Sequence, residues 1–451
     1  MPVLPRTPPG VLELLPPQQL AFQRMLDTIR IGFERFGFLP IETPAFELTD
    51  VLLTKSGGET EKQVYYVQST GALDEQNDAK RPKLALRFDL TVPLARYVAE
   101  HEHALNFPFR RYQIQRVYRG ERNQKGRYRE FYQCDIDVIA KDSLALAYDA
   151  EVPAVIYGIF RELAFGAFTI RVNNRKLLRG VLDTVGIAAA DHAAVLHEVD
   201  RLGKLACDEV VDRIAAVGGG IDRGVATRLI DLLTNPGDSR AILGSLGRLE
   251  GATAALTEGL DELTRVYDGT LALGVPESAL RVDVAIARGL DYYTGTVYET
   301  FLDDHPTLGS ICSGGRYENL AGHYTKSKLP GVGISIGATR LFSQLLAMKL
   351  IGATTTAVAH ILVLAMEPGL AATYAELATE LRAAGFNVEV YGGADKFDKQ
   401  LKYAVRSGIP LGVFLGSSEQ ATGTVKLKEF RTKDQHEVPR DQLVARVRQL
   451  L

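Results

Sequence analysis

The sequence predicts an α+β chain, and three observations predict it. Residues 109–139 read as two strands joined by a charged turn, residues 176–275 read as helix throughout, and strands alternate with helices from residue 357 onward. With 451 residues, and roughly 150 residues per domain, about three domains are expected. Lys+Arg is 52 and Asp+Glu 55, a net charge of −3. That excludes a chain that holds nucleic acid by being basic all over and leaves local basic patches open. With 46% hydrophobic and 24% charged residues, the chain is globular rather than disordered.

The elements follow in order. Pro16 and Pro17 suit a helix start, and Phe22, Leu26, Ile29, Phe33 and Phe36 recur every three or four residues as on an amphipathic helix. Gly37 ends it. An extended piece, Phe38 to Phe46, carries Pro40 and Pro44, which argue for an edge or interface strand. Residues 63–67 and 84–88 read as strands. Phe109 to Ile139 reads as two strands turning at Asn123 to Gly126. Between 176 and 275 Tyr267 is the only aromatic, and Ala, Leu, Asp and Arg dominate, with breakers at Gly218 to Gly220 and Asn235-Pro236-Gly237. This is read as a separate helical insertion. Strand character returns at Leu280 to Ile286 and Thr296 to Phe301. From Ala357, strands at His360–Ala365, Asn387–Tyr391, Leu411–Leu415 and Thr424–Phe430 alternate with helices at Ala371–Ala384, Lys396–Arg406 and Arg440–Leu451. That pattern predicts a small α/β domain with crossover connections.

Three cysteines, Cys134, Cys207 and Cys312, lie far apart, so neither a disulfide framework nor a CxxC zinc site is expected, and a reducing compartment fits. No apolar secretory signal is readable near the N-terminus. The uncharged stretch Leu350–Met366 falls short of the roughly 20 apolar residues of a membrane span. No membrane association is expected.

Charge is densest from Arg110 to Arg129, where eight cations face one acid, Glu121, a balance of +7 in 20 residues. Such a run fits either a solvated hairpin or a polyanion held in arginine forks. No GxxxxGK[ST] loop or GxGxxG turn occurs, so side chains must hold any nucleotide. Three further groups stand out. Arg288-Gly-Leu-Asp-Tyr-Tyr-Thr-Gly, ending at Gly295, suits either a polar pocket or a core strand. Cys312-Ser-Gly-Gly-Arg-Tyr317 reads alone as a turn. Pro330 to Arg340 brings three glycines to a helix that presents Arg340, either a phosphate site or an ordinary helix entry. His101-Glu102-His103 has metal-ligand residue types, but its two His at i and i+2 do not face together on a helix. A surface loop is the simpler reading.

These pieces together resemble the histidyl-tRNA synthetase family, of the class II aminoacyl-tRNA synthetases, over nearly the whole chain. Gly37 to Phe46 resembles motif 1. Tyr118-Arg-Gly-Glu121 through Gly126-Arg-Tyr-Arg-Glu-Phe-Tyr-Gln-Cys-Asp135 resembles motif 2, and Gly331 to Arg340 resembles motif 3. Arg288 to Gly295 and Ser313 to Tyr317 resemble the two histidine signatures. The resemblance implies an antiparallel catalytic sheet in residues 1–175 and 276–350, a helical insertion at 176–275 that clamps the tRNA acceptor arm, and an anticodon-binding domain at 357–451. It implies histidine activation by ATP and Mg²⁺, then transfer to tRNA-His, by a cytoplasmic homodimer. Arg119 would hold the α-phosphate and carboxylate, Arg288 would act as a fixed cation at the α-phosphate, and Arg340 would hold the γ-phosphate. Arg127 would join the ATP site, with Phe131 stacked on adenine and Glu121 bonded to its amino group. Asp89, Thr91, Gln133 and Asp137 would bind the ammonium and position the carboxyl of histidine. Tyr292, Tyr293 and Tyr317 would line its pocket, and Glu299 would ligate Mg²⁺. Lys399, Lys402 and Arg406, on one helix face, would meet tRNA phosphates. Asp89 and Asp137 stand where many bacterial members carry Glu, and Pro8-Pro9-Gly10-Val11 replaces the usual Arg-Gly-Thr-Arg entry.

Overall fold

The proline pair does begin a helix, Pro16–Arg35, in which Phe22, Met25, Leu26, Ile29 and Phe33 form one buried stripe. Gly37, at φ +75°, takes the left-handed turn that ends it. The computed structural model describes residues 3–53, 63–70, 82–120, 126–286, 293–393 and 395–451. The chain divides into two units, Met1–Glu13 with Met25–Ile351, and Leu14–Arg24 with Gly352–Leu451.

The first unit is built on eleven described strands: β1 Leu39–Pro40, β2 Phe46–Leu48, β3 Tyr66–Val67, β4 Leu84–Leu86, β5 Phe109–Tyr118, β6 Glu130–Ile139, β7 Phe168–Asn174, β8 Leu280–Val282, β9 Tyr293–Leu302, β10 Cys312–Tyr317 and β11 Gly331–Ile336. Eight of them form one sheet in the order β1-β5-β6-β11-β10-β9-β7-β8. The six from β5 to β7 in that order pair antiparallel, and β1 and β8 close the two edges in parallel. A small antiparallel sheet, β2-β4-β3, stands beside it. β3 and β4 are shorter than the sequence suggested.

Two glycine-rich stretches that read as a turn and a helix entry are strands, β10 and β11. Glycine is usually depleted in strands, which hides them from sequence. Here it is needed because the chains crowd: a Cβ at Gly314 would sit 2.1 Å from Gly333 O. β7 and the helix Ala147–Leu163 also escaped the sequence reading. Pro153 interrupts the helical pattern of that helix.

Residues 175–272 carry six α-helices: Arg175–Val185, His192–Val199, Cys207–Ala215, Arg223–Leu233, Ser239–Leu246 and Ala254–Ala272. They belong to the first unit. Asn174 caps the first through its side chain, which accepts from Lys176 N and Leu177 N. The first and last helices touch backbone to backbone. A Cβ at Gly180 would lie 2.2 Å from Leu256 N, and one at Gly259 would lie 2.1 Å from Leu177 N.

In the second unit, β12 Ile361–Val363, β13 Val388–Val390, β14 Leu411–Phe414, β15 Thr424–Glu429 and β16 Gln435–Pro439 form a sheet ordered β13-β12-β14-β15-β16. The first three are parallel and the last two antiparallel. Alternation along β12 sends Ile361 and Val363 to one core, with Leu377, Leu381 and Val447, and Leu362 to the other, with Ala404 and Phe414. Burial on both faces explains the continuous apolar run. β16 was not anticipated. Among the described residues no helix is long and apolar enough to cross a membrane.

Candidate active site

Antiparallel register determines what faces the ligand. One row across the large sheet reads Gln113, Asp135, Ser335, Ser313, Glu299. The next reads Arg111, Asp137, Gly333, Gly315. Side chains two apart on a strand share a face, so Gln133, Asp135 and Asp137 project together from β6. Glycines of β11 make room: a Cβ on Gly333, in the second row, would lie 2.3 Å from Asp137 Oδ1, and one on Gly331, two residues along the strand, would lie 2.4 Å from the Tyr317 ring.

A cavity of about 460 Å³ opens above this face. Of the residues expected at the site, Asp89, Thr91, Arg119, Arg127, Phe131, Gln133, Tyr293, Glu299 and Arg340 line it. Asp137 and Tyr317 do not line it. They are buried, with Tyr317 Oη donating to Asp137 Oδ1 at 2.9 Å. The Tyr317 hydroxyl is thus engaged by a carboxylate beneath the cavity, and its ring packs against Gly331. Glu121, Arg288 and Tyr292 lie outside the described residues.

One part of the site is acidic. Asp89 accepts from Val92 N at 3.1 Å where the helix Thr91–Glu100 begins. Burial drives its carboxyl up to about 6, against the pull of Val92 N–H, Arg119 and Arg111. Burial likewise raises Asp137 to about 6, opposed by an ion pair with the fully buried Arg111 and by Tyr317. Asp135 is pushed furthest, to about 7, by burial and by repulsion from Asp137 and Asp89, against Arg111 and Ser335. Three carboxylates thus crowd one buried guanidinium, a field that favours a cation. Sequence reading missed Asp135, Arg111 and Ser335. The signal available was the period-2 run Gln133, Asp135, Asp137, which puts both carboxylates on one strand face.

The other part is basic. Arg119 donates through Nε to Phe88 O at 3.0 Å and lies 5.2 Å over the Phe131 ring. Arg340, near the start of the helix Ala338–Ala347, donates to Leu308 O at 2.5 Å. Burial and the like charge of Arg127 lower its pKa. Cations held within each other's field are relieved by an anion between them. The other described arginines of the charged hairpin serve the fold. Arg110 pairs with Glu151 at 2.9 Å, Arg116 with Glu130 at 3.5 Å, and Arg129 donates to Pro9 O at 3.4 Å in the N-terminal turn. Arg316 is structural too: it holds buried Asp149 through Nη2 at 2.6 Å.

Among the described residues no cluster of three or more His, Cys, Asp and Glu side chains forms a metal-binding group. Glu299 brings a single carboxylate to the cavity. Such a donor fits Mg²⁺ held chiefly by phosphate oxygens and water. Glu102 of the His-Glu-His run instead meets Lys141 at 3.0 Å and Ser327 at 2.9 Å. In the second unit Lys399, Lys402 and Arg406 are exposed on the helix Phe397–Ser407, with Lys399 paired to Asp395 at 2.7 Å.

Known proteins resemble this chain over nearly its whole length. The family description "Histidyl-tRNA synthetase" matches residues 10–341, and "Anticodon binding domain" matches residues 360–450. A histidine--tRNA ligase of Xanthomonas campestris pv. campestris (strain 8004) is 55% identical, covering 98% of this chain and 96% of its own. One from Stenotrophomonas maltophilia (strain K279a) is 55% identical over 98% and 97%. The crystal structure of histidyl-tRNA synthetase from Nostoc sp. PCC 7120 superposes with a TM-score of 0.90 at 38% identity, covering 100% of both chains.

Proposed function

The chain belongs to the histidyl-tRNA synthetase family, and from that premise we propose how its residues carry out the reaction. ATP and L-histidine give histidyl-adenylate and pyrophosphate, and the histidyl group then passes to tRNA-His. The observation that carries the assignment of roles is that one cavity gathers two sets of charged groups: a first set of Asp89, backed by buried Asp135 and Asp137, and a second set of Arg119, Arg127 and Arg340. An amino acid presents an ammonium to the first while its carboxylate and a polyphosphate meet the second.

In the first step a carboxylate oxygen of histidine attacks the α-phosphorus in line, and pyrophosphate leaves with the bonding pair. Negative charge builds on phosphate oxygens, so cations and alignment are needed rather than a general base. Arg119 receives the α-phosphate and carboxylate, and Arg340 with Arg127 the outer phosphates. Phe131 stacks on adenine. Asp89, Thr91 and Gln133 hold the ammonium, with Asp137 reinforcing the field from below, and Tyr293 lines the histidine pocket. From the resemblance, Glu121 completes the adenine site, Tyr292 the histidine pocket, and Arg288 is the second cation at the α-phosphate. Glu299 would help hold Mg²⁺, which supplies charge neutralisation at the phosphates. In the second step a terminal ribose hydroxyl of the tRNA attacks the adenylate carbonyl and AMP leaves.

The helical stretch at 176–275 is assigned to the acceptor arm, between catalytic parts at 1–175 and 276–350. Residues 357–451 are assigned to the anticodon, with Lys399, Lys402 and Arg406 at its phosphates. Exposed Leu39, Phe46 and Leu48, on or beside edge strands, support a homodimer through this motif 1 region. A cytoplasmic location goes with the same reading. The test is ATP–pyrophosphate exchange by the purified chain with each of the twenty amino acids. Exchange with histidine alone is expected. No exchange from folded protein would overturn the assignment.

A further inference from the structure

Among the described residues of the second unit, aromatic side chains are buried or half-buried with one exception. Tyr403, on the helix Phe397–Ser407, is 39% exposed. Its surroundings hold it there. Glu389, on the edge strand β13, and Tyr391, just past its end, lie two residues apart and so project to one face. Tyr403 meets both. Its Oη donates to Glu389 Oε1 at 2.6 Å, and its ring meets the Tyr391 ring edge to face, with centroids 5.5 Å apart and planes at 73°.

The neighbouring turn is braced as well. Tyr391 donates to Asp395 Oδ2 at 2.7 Å. Gln400, fully buried on the opposite side of the helix, bonds both backbone groups of Ala365 and the carbonyl of Asp395 at 2.7–2.9 Å. The ring pair is therefore preorganised, and little order has to be gained when something binds it. An edge-to-face neighbour covers at most one face of a ring. The Tyr403 hydroxyl is engaged, so what remains to be covered is aromatic surface.

The surrounding charges select the ligand. Lys402 precedes Tyr403 and Arg406 follows one turn later, and both are exposed. Cations flanking a π-face suit a single-stranded nucleic acid, whose phosphates follow the cations while a base lies on the ring. In a duplex the neighbouring bases cover that face, so the base must be an unpaired one in a loop. An acidic peptide would satisfy the cations, leave the ring bare and meet the Glu389 carboxylate at its rim.

We propose that Tyr403 is a stacking platform for an unpaired base of the tRNA anticodon loop, with Lys402 and Arg406 at the flanking phosphates. The proposal rests on the reading that residues 357–451 take the anticodon, and it adds a base contact to the phosphate contacts assigned there. Stacking tolerates any base, so Tyr403 anchors the loop without choosing its sequence.

The experiment is aminoacylation by the full chain of two RNAs, intact tRNA-His and a minihelix of its acceptor and T arms that lacks the anticodon arm. Tyr403→Leu, Tyr403→Phe and Tyr403→Trp are compared with the unaltered chain. Tyr403→Leu should lower kcat/KM for intact tRNA about ten-fold, through KM, and for the minihelix by less than about two-fold. Phe and Trp keep a ring and should stay within about three-fold of the unaltered chain on both RNAs. The Tyr403→Leu loss should be the same at about 50 mM and about 200 mM salt, because stacking releases no counterions. An equal loss on both RNAs, a Tyr403→Phe variant as poor as Tyr403→Leu, or a loss that shrinks with salt would overturn the platform. Equal kcat/KM of the unaltered chain on the two RNAs would instead overturn the reading that residues 357–451 take the anticodon.

Discussion

Tyr317 donates its phenolic hydrogen to Asp137 Oδ1 at 2.9 Å, while Arg111 pairs with the same carboxylate. The ring rests where Gly331 has no side chain. The carboxylate is thus held from two strands, β5 and β10, before any ligand arrives.

Tyr317→Phe should keep the ring and lose the bond. A hydrogen bond to a charged group contributes about 1.5–3 kcal/mol, so KM for histidine should rise about ten-fold, with KM for ATP unchanged. Pyrophosphate exchange checks it. An equal rise for both substrates would mean the site had deformed rather than lost one contact.

Arg340→Gln should act on the other substrate. Arg340 and Arg127 share one field in the cavity. Loss of either cation should raise KM for ATP by ten-fold or more, and KM for histidine by less than about three-fold. The same exchange assay, run with ATP varied, separates the two.

The acidic cluster makes stability depend on pH. In the folded chain Asp135 is raised from 3.8 to about 7. Between those values the folded state holds a proton that the unfolded chain releases, so this group's contribution is full below about pH 4 and is lost as pH rises through about 7. Ionised and buried, it costs the ligand-free protein on the order of 4 kcal/mol. Asp135→Asn should therefore gain in urea midpoint relative to the parent between pH 5 and pH 8. The same difference at both pH values would contradict the placement.

Gly259→Ala should loosen the helical stretch. The new methyl would meet Leu177 N at 2.1 Å and must push the two helices apart. Such overpacking costs about 1–3 kcal/mol. Limited proteolysis should cut faster within 175–272, and tRNA charging should fall more than pyrophosphate exchange. Unchanged proteolysis would show that the helix pair can yield without cost.

Lys402→Glu with Arg406→Glu should weaken charging of tRNA by ten-fold or more at low salt, and by less at high salt, because phosphate contacts release counterions. Amino-acid exchange should not change. Lys399 is left out because Asp395 already pairs with it. A charging rate that is independent of salt would argue against these side chains.

Much of this was readable in the residues. Helical spacing gave Pro16–Arg35, and the apolar runs of the second unit gave its parallel strands. The charged hairpin gave β5 and β6. What escaped was set by other parts of the chain. β10 and β11 are strands because each lies against a neighbour too close for a side chain, and glycine composition alone speaks for a loop. Arg111 and Arg119 sit in the same charged run, yet Arg111, within β5, is buried against the Asp137 carboxylate, and Arg119, just past the end of β5, lines the cavity. Ser335 carries no mark in the sequence at all. It matters because β11 brings it opposite Asp135.

The alternation along β6 has a consequence for tolerance to change. Gln133, Asp135 and Asp137 occupy one side, and buried Cys134, Ile136 and Val138 occupy the other. Deleting a single residue between Glu130 and Gln133 would exchange the two sets at a stroke, turning a hydrocarbon surface toward the substrates and three polar groups into the core. Chemistry at this site is written in odd and even numbers. A point substitution along the strand changes one side chain in place, whereas a change in the strand's length reverses the faces of all that follow.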